Sequence, residues 1–135
     1  MTASVAERRP AAGYLGAADA MLSGAAPFGT GADDGGWWPK ACACLIRLGL
    51  ESGLDAFWSH TNAAVGASRN QRTKLLMLRR YVDQDVARRA SFTWATLSRL
   101  THHRVGEAAP TASELRHLHV EVTGLLARLG QMPGT

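Results

Sequence analysis

The sequence predicts an all-α fold, an antiparallel bundle of four long helices plus one shorter helix, formed as a single domain over residues 1–135. Three observations lead to this prediction. Apolar residues recur at three- and four-residue intervals over most of the chain. Helix-start signals precede several of these segments, and no segment alternates apolar and polar residues as a strand would. The hydrophobic content of 46% and charged content of 19% are typical of a globular chain with one core.

The first helix is predicted from Pro10 to Ser23, because proline is favoured in the first turn of a helix. Residues 1–9 precede this signal and are expected to be disordered. Residues 24–36 are rich in glycine and contain a proline and two aspartates, which is typical of a mobile loop.

The second helix is predicted to begin between Trp37 and Pro39 and to continue to about His60, and it is apolar enough to be largely buried. Gly49 and Gly53 lie four residues apart and therefore share one face. Each costs about 1 kcal/mol in helix propensity relative to alanine. We interpret them as positions where a neighbouring helix approaches closely.

The third helix is predicted to follow an N-cap at Ser68 and to continue through Val82. Asp83 or Asp85 is expected to cap the fourth helix, which should end near His103. Its predicted buried stripe, broadened by two aromatic residues, consists of Val86, Ala90, Thr93, Leu97 and Leu100, with Phe92 and Trp94 beside them.

The fifth helix has the clearest start signal in the chain. Thr111 is followed three residues later by Glu114, the spacing of a capping box. Gly130 is the expected residue just beyond the C-terminus. The residues predicted to be buried are Leu115, Leu118, Val122, Leu125, Leu126 and Leu129.

Charge is distributed unevenly along the chain. Between Arg69 and Arg104 there are nine basic residues against Asp83 and Asp85, a local net charge of +7, whereas the remainder has six basic and nine acidic residues, a net of −3. A basic half of this kind attracts anionic partners such as RNA or DNA. The alternative interpretation is an arginine-rich, solvated helix surface.

Several classes of protein are not expected. No apolar run approaches the roughly 20 residues of a membrane-spanning helix, and no secretory signal is seen, so a cytoplasmic protein is predicted. Cys42 and Cys44 are two residues apart and are interpreted as small buried thiols. His117 and His119 lack the spacing of metal ligands, so neither a metal nor a cofactor is expected.

The segment from Arg99 to Arg104 is the strongest candidate for chemistry. His102 and His103 are of the type that transfers a proton near neutral pH, and the flanking arginines can hold a phosphate. Metal-independent RNA cleavage needs these two capacities side by side. The alternative is that cationic residues at a helix C-terminus interact with the helix dipole.

Arg47 and Glu51 stand four residues apart in the apolar second helix. They form either a local ion pair or a pair that faces a site. Trp37 and Trp38 are candidates for an exposed contact surface. Trp94 lies in the basic half but is not assigned a binding role.

Two segments resemble a known family. The phrase from Leu45 to Glu51, followed by Phe57-Trp58, resembles the second-helix signature of HEPN-type helical bundles. The phrases over residues 94–103 and 109–115 are similar to actinobacterial HEPN-like proteins, in which an Arg and His cluster precedes a Pro-Thr helix cap. The resemblance covers the chain from about residue 37 onward.

The resemblance implies a homodimeric bundle of four to five helices. Many HEPN members are metal-independent ribonucleases of toxin-antitoxin or defence systems, and others bind nucleotides or are inactive partners. The resemblance assigns catalysis to Arg99 and His103, which share a helix face, with His102 next.

Two functional hypotheses follow. The first is a HEPN-like domain that binds RNA or nucleotide and, in its catalytic form, cleaves RNA, with Arg47, Glu51 and Arg104 as binding residues. The second is a non-catalytic helical interaction module that docks to a partner protein.

Overall fold

A computed structural model describes residues 10–24, 37–102 and 107–131. Regular secondary structure in these ranges is entirely helical, which confirms the predicted all-α fold. The helices are α1 (Ala11–Leu22), α2 (Trp37–Thr61), α3 (Ala63–Gly66), α4 (Gln71–Leu78), α5 (Gln84–Thr101) and α6 (Ala112–Arg128). The expected disorder of residues 1–9 and the expected loop over 25–36 lie outside the described residues.

Helix α2 is the centre of the bundle and packs against α1, α3, α5 and α6. Its buried side chains recur every three to four residues, so that one broad stripe of the helix forms the middle of the core. They are Cys42, Ala43, Ile46, Leu50, Leu54 and Trp58. None of the described helices is long and apolar enough to cross a membrane.

Two glycines of α2 allow its neighbours to approach closely, as predicted. A Cβ atom at Gly49 would lie 2.9 Å from Cγ of Leu15 in α1. A Cβ atom at Gly53 would lie 2.7 Å from Cδ1 of Leu126 in α6. Because real Cβ atoms essentially never come this near to other heavy atoms, a side chain at either position would force the neighbouring leucine to move from the packing that is observed.

The predicted ends of α6 are confirmed. The hydroxyl of Thr111 accepts a hydrogen bond from the Glu114 backbone amide at 3.0 Å, and the Glu114 carboxylate accepts one from the Thr111 amide at 3.0 Å. These two bonds form the capping box. At the other end, Gly130 has a φ of 76°, the left-handed conformation that commonly ends a helix.

The predicted bounds of the third helix are wrong. It was expected from Ser68 to Val82, but α4 covers only Gln71–Leu78, and its cap is Asn70. The Asn70 side chain accepts hydrogen bonds from two backbone amides of the first turn, which makes it a better cap than Ser68. The polar segment before it also contains the short helix α3, capped by Asn62.

Two predictions about aromatic residues are also corrected. Phe92 was expected to broaden the buried stripe of α5, yet 72% of it is exposed, because the neighbours of α5 cover only its other faces. Trp38 was a candidate for an exposed contact surface, but it is half-buried and packs against the core. The side chain of Trp37 lies outside the described residues.

A bidentate ion pair connects helix α6 to α5. Nε and Nη2 of Arg89 each donate a hydrogen bond of 2.8 Å to the Glu121 carboxylate. These bonds to Arg89 hold the pKa of Glu121 below its ordinary value of 4.5. The capping bonds from Thr111 lower the pKa of Glu114 in the same way.

We therefore expect the fold to lose stability in acid. A carboxylate whose pKa is lower in the folded chain than in the unfolded chain contributes stability above the unfolded value, and this contribution is lost as the pH falls through the folded value. Replacing Glu121 by glutamine should cost about 1 kcal/mol near neutral pH, a value reduced by the solvent exposure of Arg89. Urea unfolding at about pH 7 and about pH 3 measures both effects.

The variant and the wild-type chain should differ less at the lower pH, because the stabilisation from ionised Glu121 is progressively lost as the pH falls below the unfolded-state pKa toward the lower folded-state pKa. An equal difference at both pH values would contradict the assignment of this pH dependence to Glu121.

Candidate functional site

The basic half of the chain is largely a surface feature. Lys74 is buried and donates a 2.8 Å hydrogen bond to Asp55, and Arg89 is paired with Glu121. Arg104 lies outside the described residues. The remaining six basic side chains are exposed, namely Arg69, Arg72, Arg79, Arg80, Arg88 and Arg99. The excess positive charge of this region therefore faces solvent.

A shallow surface depression of about 540 Å³, largely open to solvent, lies where the start of α4 meets α5, and we call it the cleft. Its lining residues are Arg69, Asn70, Gln71, Arg72 and Trp94. Two of the exposed arginines thus lie beside one aromatic ring. Flat aromatic rings and guanidinium groups are the side chains that most often hold nucleotides without a metal.

The Trp94 indole has a fixed position in this cleft. Its Nε1 atom donates a hydrogen bond of 2.8 Å to Oε2 of Glu51 on α2. The residue is half-buried, and on the described part of the chain no other aromatic ring stacks on it. Because the polar edge of the indole is held, the ring forms a preorganised wall of the cleft.

The opposite wall is the first turn of α4. The Asn70 side chain accepts hydrogen bonds from the backbone amides of Arg72 at 2.9 Å and Thr73 at 3.3 Å. Oε1 of Gln71 is buried and has no hydrogen-bond partner within the described ranges. Since these amides already bond to Asn70, the charges of Arg69 and Arg72 are what make this wall favourable for an anion, with the helix dipole adding to them.

A polar edge of α2 supports both walls. Arg47, Glu51 and Asp55 lie at four-residue intervals, and each forms a hydrogen bond with a side chain of α4 or α5. Nη1 of Arg47 donates to the Thr101 hydroxyl at 3.2 Å, whereas Glu51 and Asp55 hold Trp94 and Lys74 respectively. Nε of Arg47 is 3.8 Å from Oε2 of Glu51, so the predicted ion pair is present.

The described residues of the predicted catalytic cluster lie outside the cleft. Arg99 and His102 are exposed at the C-terminal end of α5, and neither lines the cleft. His103 and Arg104 lie outside the described residues. Of the predicted binding residues, Glu51 reaches the cleft by way of Trp94, and Arg47 is bonded to Thr101, next to His102.

Sequence reasoning missed Trp94 as a site residue, together with the segment from Arg69 to Arg72. The only available signal was the position of a tryptophan in a basic segment. Its contact with Glu51 spans 43 residues of sequence, and no local pattern predicts such a contact.

Other chemistry has less support among the described residues. They include no group of three or more His, Cys, Asp or Glu side chains placed to hold a metal ion. Cys42 is fully buried, and desolvation raises the pKa of its thiol to about 11. A thiol with this pKa stays protonated at neutral pH and is a poor nucleophile.

The fold defines the chain as an all-α helical-bundle protein with a basic cleft. Comparison with known proteins finds no matching family model, no similar curated protein and no similar solved structure. The resemblance to HEPN-type bundles accordingly stays a prediction.

Proposed function

We propose that this protein binds RNA or a free nucleotide in the cleft between α4 and α5. The observation that carries the proposal is the position of Trp94, which is held at its Nε1 atom by Glu51 and lies beside Arg69 and Arg72. An aromatic ring next to two guanidinium groups can contact both the base and the phosphate of one nucleotide.

The base stacks on the indole of Trp94. Stacking of this kind contributes about 1–3 kcal/mol per base and tolerates any base, because every base has a flat face. It requires a base that is free of its partner strand. The preferred ligand is therefore single-stranded RNA or a mononucleotide, and a duplex of the same sequence is expected to bind more weakly.

The phosphate lies against Arg69 and Arg72. Both side chains are exposed at the N-terminal end of α4, where the helix dipole also attracts negative charge. Arg79 and Arg80 are exposed just after the other end of α4, so a long anionic strand gains additional non-specific attraction. Binding therefore has two contributions, a specific one from the cleft and a non-specific one from the positive charge of the surrounding surface.

The experiment compares two variants that lose the same charge. Arg69→Ala/Arg72→Ala removes both guanidinium groups of the cleft, and Arg79→Ala/Arg80→Ala removes two exposed arginines from the other end of α4. We expect the first variant to bind labelled single-stranded RNA about tenfold more weakly than the second. Its salt dependence, as log K against log salt, should become shallower by about 1.4, or about 0.7 for each phosphate that is no longer neutralised by an arginine.

Trp94→Leu is the second arm of this experiment. It should weaken binding of the single strand while leaving the salt dependence unchanged, because it removes stacking and no charge. If both double variants weaken binding equally, the RNA is held by the overall positive charge of the surface and the cleft is not the site. If the wild-type chain binds no single-stranded RNA or nucleotide, the proposal is wrong as a whole.

Cleavage by Arg99, His102 and His103 is a separate prediction from the HEPN resemblance, as are the homodimer and a role in toxin-antitoxin or defence systems. The exposed position of Arg99 and His102 is compatible with an approaching RNA strand. Binding in the cleft does not depend on that activity.

A further inference from the structure

The outward face of α5 carries a line of exposed residues that no described helix covers. They are Arg88, Phe92, Ala95 and Arg99, at spacings of four, three and four residues, and we call this line the Phe92 surface. The opposite side of α5 contains the buried residues of the core. Eleven residues of helix give the Phe92 surface a length of about 16 Å.

The order of residue types along this line is specific. A large aromatic side chain, 72% exposed, and a small one lie at the centre, and a guanidinium group lies at each end. A single exposed apolar residue is ordinary on a protein surface. A central aromatic residue flanked by arginines on one regular helix face is the composition typical of the anchoring positions of protein interfaces.

We propose that the Phe92 surface is a docking site for an acidic amphipathic helix of a partner protein. Phe92 would fit beside a small residue of that helix, and Ala95 would accept a large apolar one. The Asp or Glu side chains that pair with Arg88 and Arg99 would stand about 11 residues apart in the partner, matching the spacing of the two arginines.

Charge disfavours a second copy of this chain as the occupant. Antiparallel packing of Phe92 against Ala95 of another copy would place Arg88 opposite Arg99, and parallel packing would place each arginine opposite itself. Like charges placed face to face oppose association. Asp85, which precedes Arg88 by three residues on α5, is already paired with Arg88 at 3.2 Å and with Arg89 at 3.5 Å.

The Phe92 surface is distinct from the nucleotide cleft. Phe92 and Trp94 are two residues apart on α5, so that their side chains point about 200° apart around the helix axis. The docking proposal consequently does not depend on RNA binding, and a partner helix on the Phe92 surface leaves the cleft accessible.

The test uses a synthetic helical peptide of about 18 residues with leucine and alanine on one face and glutamates about 11 residues apart, together with the same peptide carrying lysines in place of the glutamates. We expect the acidic peptide to bind the wild-type chain, and Phe92→Ser to weaken it at least about tenfold. We expect Arg88→Glu/Arg99→Glu to reverse the preference in favour of the lysine peptide.

The control variant Arg79→Glu/Arg80→Glu makes the same charge change on α4 and should retain the preference for the acidic peptide. Circular dichroism establishes that each variant is folded, which is expected because the substituted side chains are exposed. Equal binding of both peptides, or no effect of Phe92→Ser, would overturn the proposal.

Two other possible occupants of the Phe92 surface would give different experimental results. Sedimentation that shows a wild-type dimer dissociated by Phe92→Ser would identify a second copy on this face and overturn the acidic partner. Loss of single-stranded RNA binding in Phe92→Ser would identify a nucleic-acid surface and overturn it as well.

Discussion

Replacing Trp58 by alanine is expected to lower the free energy of unfolding by about 3–5 kcal/mol, the largest loss for any single substitution proposed for this chain. The Trp58 side chain is fully buried near the end of α2. Its ring lies edge-on to Phe57 and Tyr81, with centroid distances of 5.1 Å and 5.0 Å. Alanine would remove these contacts and leave a cavity that the surrounding helices can fill only in part.

A loss of this size is a large fraction of the roughly 5–15 kcal/mol that stabilises a typical domain. Urea denaturation measures it as a lower midpoint at an unchanged slope. Trp58→Phe is the matched control. Phenylalanine keeps an aromatic ring and removes the buried indole N–H, which has no hydrogen-bond partner among the described residues. It should cost less than about 2 kcal/mol.

Equal losses for Trp58→Ala and Trp58→Phe would show that the cavity is not the cause. The aromatic cluster around Trp58 also fixes the polypeptide after α2, since the hydroxyl of Tyr81 accepts a 2.8 Å hydrogen bond from Asn62. Because Tyr81 follows α4, loss of the indole is expected to loosen the connection that places α4 beside α5.

Replacing Gly53 by alanine is expected to destabilise the fold by about 1–3 kcal/mol, although alanine is the better helix former. The new methyl group would lie 2.7 Å from Cδ1 and 3.0 Å from Cγ of Leu126. Leu126 is itself fully buried, so its side chain has little room to move away. Either the Leu126 side chain would have to change its conformation or α2 and α6 would have to separate, and both reduce the packing where these helices touch.

Gly124→Ala is the control, because Gly124 lies in α6 and a Cβ atom there meets nothing within 4 Å. That substitution should stabilise the chain by about 0.5–1 kcal/mol through helix propensity alone. The two glycine variants are thus expected to change stability in opposite directions. A stabilising Gly53→Ala would contradict the close approach of α2 and α6.

Local signals predicted most of the helices. The capping box of Thr111 and Glu114, the terminal Gly130 and the cap at Asp83 are all properties of a few consecutive residues, and each is present in the structure. The close approach of neighbouring helices at Gly49 and Gly53 was also predicted, because two glycines on one face of an apolar helix usually indicate close helix packing. The third helix was overextended because Ser68 and Asn70 are both plausible caps.

The cleft was not predicted from the sequence, for a physical reason. The residues assigned to chemistry were adjacent in sequence, from Arg99 to Arg104, whereas the cleft combines Trp94 with a segment more than 20 residues before it. The pair of Arg47 and Glu51 was recognised, but its role in holding Trp94 was not.

The sequence by itself determined the bounds of most of the long helices, which positions had to be small, and where positive charge accumulates, because propensity, capping and composition act over a few residues. The sequence also predicted the buried stripe of α5, but only the tertiary structure decided the surroundings of the two aromatic residues beside it, so that Trp94 lines a cleft and Phe92 is exposed. Both are aromatic residues of one amphipathic helix. Their different surroundings depend on which other helices pack against α5, and this is set by the free energy of the whole bundle rather than by the local pattern.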